Sequence, residues 1–225
     1  MSSNWLDPFG WWSSNQPVPP VVNTPPTQIP TPTNLIYRDT RPECITKLSD
    51  EQTADLQSFL THYKNNVDQY TKVGQLSNIP AMVVGAIHWR EASGDFNSYL
   101  ENGDPLGSVT YANGDSNNGH SLPVGTSNTI SFNNWDDSAV WSLNQNVEGM
   151  KMSGLSFSET DINDMLTFCE YYNGTGYKNM GVPSPYCLAG TSCYKSGKYI
   201  SDGNYDSNAV DTQLGILVML RSIIN

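Results

Sequence analysis

Two carboxylates thirteen positions apart, Glu91 and Asp104, stand where acid–base chemistry is most readily built in this chain. Val84, Ile87 and Glu91 fall at i, i+3 and i+7, so on a helix they share one face. Glu91 then closes an apolar stripe at the C-terminal end of that helix. Low-dielectric surroundings and the negative end of the helix dipole both disfavour its ionised form. A glutamate that keeps its proton near neutral pH is what a general acid requires. Asp104 lies in Asn102-Gly103-Asp104-Pro105, a strong turn signal. There a carboxylate either takes part in chemistry or caps its own backbone. Other chemistries find less support. His88 and Glu91 are three apart, a metal-ligand spacing, but no second pair matches them among the three histidines, so no metal and no cofactor are expected. No cysteine carries a nucleophile signature with His62, His88 or His120, and no glycine-rich phosphate loop appears.

The elements that must position these groups follow from the pattern around them. Pro80 suits the first turn of a helix over Ala81 to Glu91, and Gly94 stops it. Ser49-Asp-Glu-Gln52 is a capping box that opens an earlier helix, about Asp50 to Tyr70, with Leu56, Phe59, Leu60, Tyr63 and Val67 at helical spacing. Ser108 to Asn134 is rich in Gly, Asn and Ser. It predicts a small β flap with Ser108–Tyr111 and Thr129–Phe132 as its strands. Further helices are predicted over Trp135 to about Gly149, over Ser158 to Tyr172 with Asn173-Gly174 as its stop, and over about Ser207 to Ile224. Between the last two runs a long loop, Tyr177 to Tyr205, carries five tyrosines. A loop of that length is usually functional. The fold class is mainly α (α+β), with one domain over residues 44–225.

Residues 1–43 hold nine of the fourteen prolines and predict an extended arm. The aromatic segment Trp5 to Trp12 within it either docks onto a partner or tucks back onto its own domain. The formal charge of −11 argues against a nucleic-acid backbone as ligand. No run approaches the roughly 20 apolar residues that span a bilayer, so no membrane insertion is expected. The N-terminus shows no signal peptide, lacking both a basic region and an apolar core. Of the four cysteines, Cys187 and Cys193 lie close in sequence and can bridge. Two disulfides and four free thiols both remain open.

Arg90-Glu91-Ala92-Ser93-Gly94-Asp95-Phe96 resembles the E-S-x-G-x-F stretch that ends the catalytic helix in lysozyme-superfamily enzymes, among them lytic transglycosylases and goose-type lysozymes. Ala92 stands where those families prefer Ser. The longer string from Ala86-Ile-His-Trp-Arg-Glu91 through Tyr99-Leu100 to Asn102-Gly-Asp-Pro-Leu106 is similar to phage and bacterial lysozyme-like proteins. So are Trp135-x-x-Ser-Ala-Val140, Tyr172-Asn-Gly-Thr-Gly-Tyr177, Ser184-Pro-Tyr186 and Gly197-Lys-Tyr-Ile-Ser-Asp-Gly203. The resemblance spans roughly residues 50 to 220. It implies a lysozyme-like helical domain that cleaves the β-1,4 bond between N-acetylmuramic acid and N-acetylglucosamine in peptidoglycan glycan strands. Glu91 would be the acid, and Asp104 would position a water for hydrolysis. Without a second carboxylate, the muramic C6 hydroxyl would attack internally and give a transglycosylase product. Glu101, Asp95 and Asp115 are the alternatives to Asp104. Ser93, Tyr99, Tyr172, Asn173, Tyr177 and Tyr199 would contact substrate, with Tyr186, Tyr194 and Tyr205 as further stacking rings. The tethered aromatic segment suggests a part of a larger assembly such as a virion, tail or internal, acting on the bacterial wall, with other virion proteins as partners of Trp5 to Trp12; a free endolysin is the same chemistry in another place. The rival expectation is a structural or glycan-binding protein without turnover.

Overall fold

The computed structural model describes residues 44–112, 127–152, 162–201 and 203–224. The Pro-rich arm, the Trp5–Trp12 segment, Asp115 and His120 lie outside these residues.

Helix α1 (Asp50–Asn65) starts at the expected capping box. The Ser49 hydroxyl accepts from Gln52 N–H, and the Gln52 side chain accepts from Ser49 N–H. Asp50 and Glu51 in the first turn and His62 and Lys64 in the last suit the helix dipole. The single helix expected to Tyr70 is in fact two. Asn66, with φ −122° and ψ 15°, breaks it, and α2 (Val67–Ser77) runs on in a new direction. The apolar spacing continues across the break because Tyr63 and Tyr70 still stack, with ring centroids 5.6 Å apart. Asn78 ends α2 in the left-handed region, and Pro80 caps α3 (Ala81–Ala92) from just outside it.

Helix α3 is the centre of the fold. Val83 to His88 are six consecutive buried residues, the mark of a helix enclosed on all sides. It packs on α2, on α5 (Ile162–Asn173) and on α8 (Ile216–Ile224). Gly85 permits the approach of α1, since a Cβ there would lie 2.6 Å from the Tyr63 ring. The helix ends with Ser93 and Gly94 both left-handed, at φ 52° and 75°. Ser93 N–H donates to Trp89 O and Gly94 N–H to His88 O, which satisfies two of the last carbonyls.

A small sheet follows, with β1 (Thr110–Tyr111) antiparallel to β2 (Thr129–Ile130). Helix α4 (Trp135–Met152) then leads toward α5, whose expected cap at Ser158 and Asp161 lies outside the described residues. The stretch expected as one aromatic loop is more ordered than its composition suggests. It holds α6 (Gly176–Met180), α7 (Pro185–Leu188) and a hairpin of β3 (Lys198–Ser201) with β4 (Asn204–Asp206). The last helix starts at Ile216, nine positions later than expected from Ser207. The cysteine pairing, which the sequence leaves open, is long-range. Cys193 bonds Cys44, 149 positions away, and leaves Cys187 and Cys169 as buried thiols. The bridge between Thr46 and Thr191 and the Arg221 guanidinium on Cys44 O hold the same junction. Among the described residues no helix is long and apolar enough to cross a membrane.

Candidate active site

Glu91 occupies the last turn of α3, half-buried, on the same face as the fully buried Val84 and Ile87. Burial pushes its carboxyl from the ordinary 4.5 up to about 7, and the Tyr186 hydroxyl and the neighbouring Arg90 pull the other way. Neither pull is strong. The Tyr186 hydroxyl is buried and makes no well-aligned hydrogen bond. Arg90 turns away to Asp211, with which it forms a buried ion pair, and also donates to Leu214 O. The Arg90 guanidinium lies 5.1 Å from the centroid of the Tyr186 ring. Tyr186 itself comes from α7 and is buried.

The second carboxyl of the site is Glu101. Both its oxygens are sealed from solvent without a hydrogen-bond partner. Burial raises it to about 8, the Ser142 hydroxyl opposes this, and Asp104 and Glu91 each add like charge. Ser142, on α4, shares a 2.7 Å hydrogen bond with the Tyr172 hydroxyl on α5. Tyr172 is in turn held well above the usual phenol range by burial and by the charges of Glu91 and Glu101. Four elements therefore meet at one cluster: α3 with Glu91, the following turn with Glu101, α4 with Ser142, and α5 with Tyr172.

Asp104 is in the same neighbourhood in a different role. It is 1% exposed, it accepts from the Thr110 hydroxyl, and its carbonyl accepts from Tyr99 N–H at 2.7 Å. It ties the turn to β1 and adds charge beside Glu101. Asp95 is an exposed turn cap that accepts from Asn97 and Ser98. Glu101, in the turn that follows, is a carboxyl raised in part by the charge of Glu91.

The expected sugar contacts divide. Tyr172 belongs to the cluster, and half-buried Asn173 ends the helix that carries it. Ser93 is exposed at the end of α3, two residues beyond Glu91. Tyr99 does not fit the role: it is fully buried, its hydroxyl donates to Ser108 O and accepts from Phe132 N–H, and it serves to pin the β flap. Tyr177, Tyr199 and Tyr205 form an edge-to-face trio with centroids 5.1 to 6.3 Å apart. Tyr177 is buried and accepts from Tyr199 N–H, so it supports the hairpin. Tyr199 and Tyr205 stay half-exposed. Tyr194 is buried, with its hydroxyl accepting from Asp211 N–H.

His88 is not a partner of Glu91. It is fully buried, its Nδ1 lies 2.9 Å from the Tyr70 hydroxyl, and that hydroxyl lies 2.8 Å from His62 Nε2. Burial lowers His88 to about 4, which keeps it neutral. Among the described residues no group of three or more His, Cys, Asp or Glu side chains could hold a metal ion. A shallow polar concavity of about 530 Å³ lined by Gln57, Ser58, Thr61, His62, Asn65 and Asn66 runs along α1 and shares no residue with the carboxyl cluster.

Comparison with protein-family models, with curated proteins and with solved structures finds no match. Fold and site together define a mainly helical protein with short strands, a desolvated carboxyl at the end of its central helix and another in the turn that follows.

Proposed function

We propose that this protein is a peptidoglycan glycosidase that cuts the β-1,4 bond between N-acetylmuramic acid and N-acetylglucosamine, with Glu91 as general acid. The observation that carries the reading is a carboxyl that holds its proton to about pH 7 at the end of the buried helix α3. Such a group can protonate the glycosidic oxygen of the leaving sugar as the C1–O bond breaks. A hydrolase of the inverting type also needs an ionised carboxylate to activate water. Burial raises Glu101 to about 8, and Asp104 accepts from the Thr110 hydroxyl. These two facts favour the single-acid route. In it the muramic C6 hydroxyl attacks C1, the newly ionised Glu91 takes the hydroxyl proton, and a 1,6-anhydro end forms.

The lysozyme-like string and the arm of residues 1–43 support a virion-associated enzyme that opens the wall locally, its aromatic segment docking onto another virion protein. Zymography on purified peptidoglycan tests the reading. Wild type should give a clear band, and Glu91→Gln should lose at least about 100-fold, the scale of a removed general acid. Mass spectrometry of the products should show anhydro ends. A band of equal strength in Glu91→Gln would refute the assignment, and no band in wild type would leave a glycan-binding or structural role.

A further inference from the structure

We propose that Asp211 is a positioning residue: it neutralises Arg90 and locks that guanidinium to the segment before α8, so that Glu91 ends α3 without a countercharge. The proposal rests on the glycosidase reading and adds a residue to its machinery.

The sequence puts a permanent cation one position before the acid. An unbalanced guanidinium next to a desolvated carboxyl favours the anion and takes away the stored proton. Residues 211–214 hold this cation at several points. Arg90 forms an ion pair with Asp211, and the two side chains are 7% and 5% exposed. The other terminal nitrogen of Arg90 donates to Leu214 O at 3.1 Å. Asp211 is itself fixed: its Oδ1 accepts from Gln213 N–H at 3.1 Å, and its own N–H donates to the buried Tyr194 hydroxyl at 3.0 Å. Gln213 then reaches back. Its side-chain amide donates at 3.3 Å to Arg90 O, the carbonyl of the peptide that joins Arg90 to Glu91. Gln213 O accepts from the Gln52 amide on α1. The segment thus grips both the side chain and the backbone of the residue that precedes the acid.

The consequence is a matter of charge. Arg90 and Asp211 together are neutral. Lys198 of β3 stands 3.9 Å from Asp211 Oδ1 with a more exposed side chain, and Tyr177 and Tyr194 are the phenols near the pair. The titratable groups that face Glu91 from other elements are Glu101 from the following turn, Cys169 and Tyr172 from α5, and Tyr186 from α7. None of these four is a cation. Whether Glu91 feels a positive neighbour is therefore decided by the pairing of Arg90. In a poorly screened site, removing the Asp211 charge leaves the full field of Arg90 acting on the acid even if no atom moves. Asp211 acts through Arg90, and no atom of Asp211 needs to touch substrate.

The test is the pH dependence of kcat/KM on purified glycan strands, together with carbon-13 NMR titration of the Glu91 carboxyl. The proteins are wild type, Asp211→Asn, Asp211→Glu, Arg90→Gln and the double variant Arg90→Gln/Asp211→Asn. Asp211→Asn leaves the cation unbalanced. The alkaline limb and the Glu91 titration should both move down by about one pH unit, which lowers activity about tenfold at about pH 8 and little at about pH 5. Arg90→Gln leaves the anion unbalanced and should move both up by about half a unit. The double variant should return to the wild-type position, and Asp211→Glu, which keeps the charge, should stay within about 0.3 unit of it. A merely structural pair would lower Tm in each single variant and leave the limb in place. Thermal melting reports whether each variant folds. If Asp211→Asn does not, the upward move of Arg90→Gln and its reversal in the double variant carry the test. An unmoved limb in a folded Asp211→Asn overturns the proposal, and so does an Arg90→Gln titration at or below that of wild type. The NMR titration separates this from the parent reading. Opposite shifts at Glu91 in a protein inert on peptidoglycan keep the role of Asp211 and remove the glycosidase. An active protein whose Glu91 titration ignores both substitutions keeps the glycosidase and removes the role.

Discussion

Replacing Glu91 by Gln should make the protein more stable in alkaline solution while it removes activity. The carboxyl titrates at an ordinary 4.5 in the unfolded chain and at about 7 in the fold, because burial disfavours the anion. The folded state therefore holds a proton that the unfolded state has already released, and stability falls as pH rises between those two values. Below 4.5 both states are protonated and the penalty is absent. Above 7 it is complete. At about 1.4 kcal/mol per pH unit the full penalty is about 3.5 kcal/mol, and partial screening at this half-buried side chain brings it to about 2–3 kcal/mol. Glutamine is close in shape to the protonated acid and escapes the titration. Urea unfolding of wild type and Glu91→Gln at about pH 4 should give nearly equal free energies, with the variant ahead by about 2–3 kcal/mol at about pH 8. Part of any further gain above that pH belongs to Glu101, whose ionisation no longer meets a Glu91 charge. A difference that stays constant from acid to alkaline pH would show that Glu91 titrates alike in both states, and the desolvated-acid argument would fall with it.

Tyr186→Phe removes a hydroxyl that favours the Glu91 anion. The alkaline limb of the pH–activity profile should move upward by about half a pH unit, and a downward move would contradict the assigned contact. Cys193→Ser opens a covalent closure between positions 149 apart. It should lower stability by about 2–5 kcal/mol, seen as a fall in Tm that a reducing agent reproduces in wild type. An unchanged Tm in both would mean that the closure does not constrain the unfolded chain.

What the sequence disclosed and what it hid follow from the range of the interactions involved. Helix α3 was legible because seven apolar or small residues, Ala81 to Ile87, run on into His88-Trp89-Arg90-Glu91, and the start of α1 was legible because a capping box is local. The break at Asn66 was not, since the apolar spacing of Tyr63 and Tyr70 is satisfied by two helices as well as by one. The turn around Asp104 was visible from its Asn-Gly-Asp-Pro signature. Which of its carboxyls faces Glu91 depends on α4 and α5, brought there from forty and seventy positions away. The same holds for Tyr99: one ring in a turn looks like any other until the flap closes over it. The bond between Cys44 and Cys193 joins two loops with no pattern in common, which lie next to α1 and α7, two helices that both pack on α8.

That bond has a mechanical consequence. Tension arriving from the leader enters the domain at Cys44, where it meets a covalent link, the adjacent Thr46–Thr191 strand contact and the Arg221 clasp before it reaches the first turn of α1. Load is thereby passed to the loop between α7 and β3, and α1 is shielded from being peeled off its open end. Reduced protein should yield to such a pull by losing α1 first, whereas oxidised protein should bear it across the whole core.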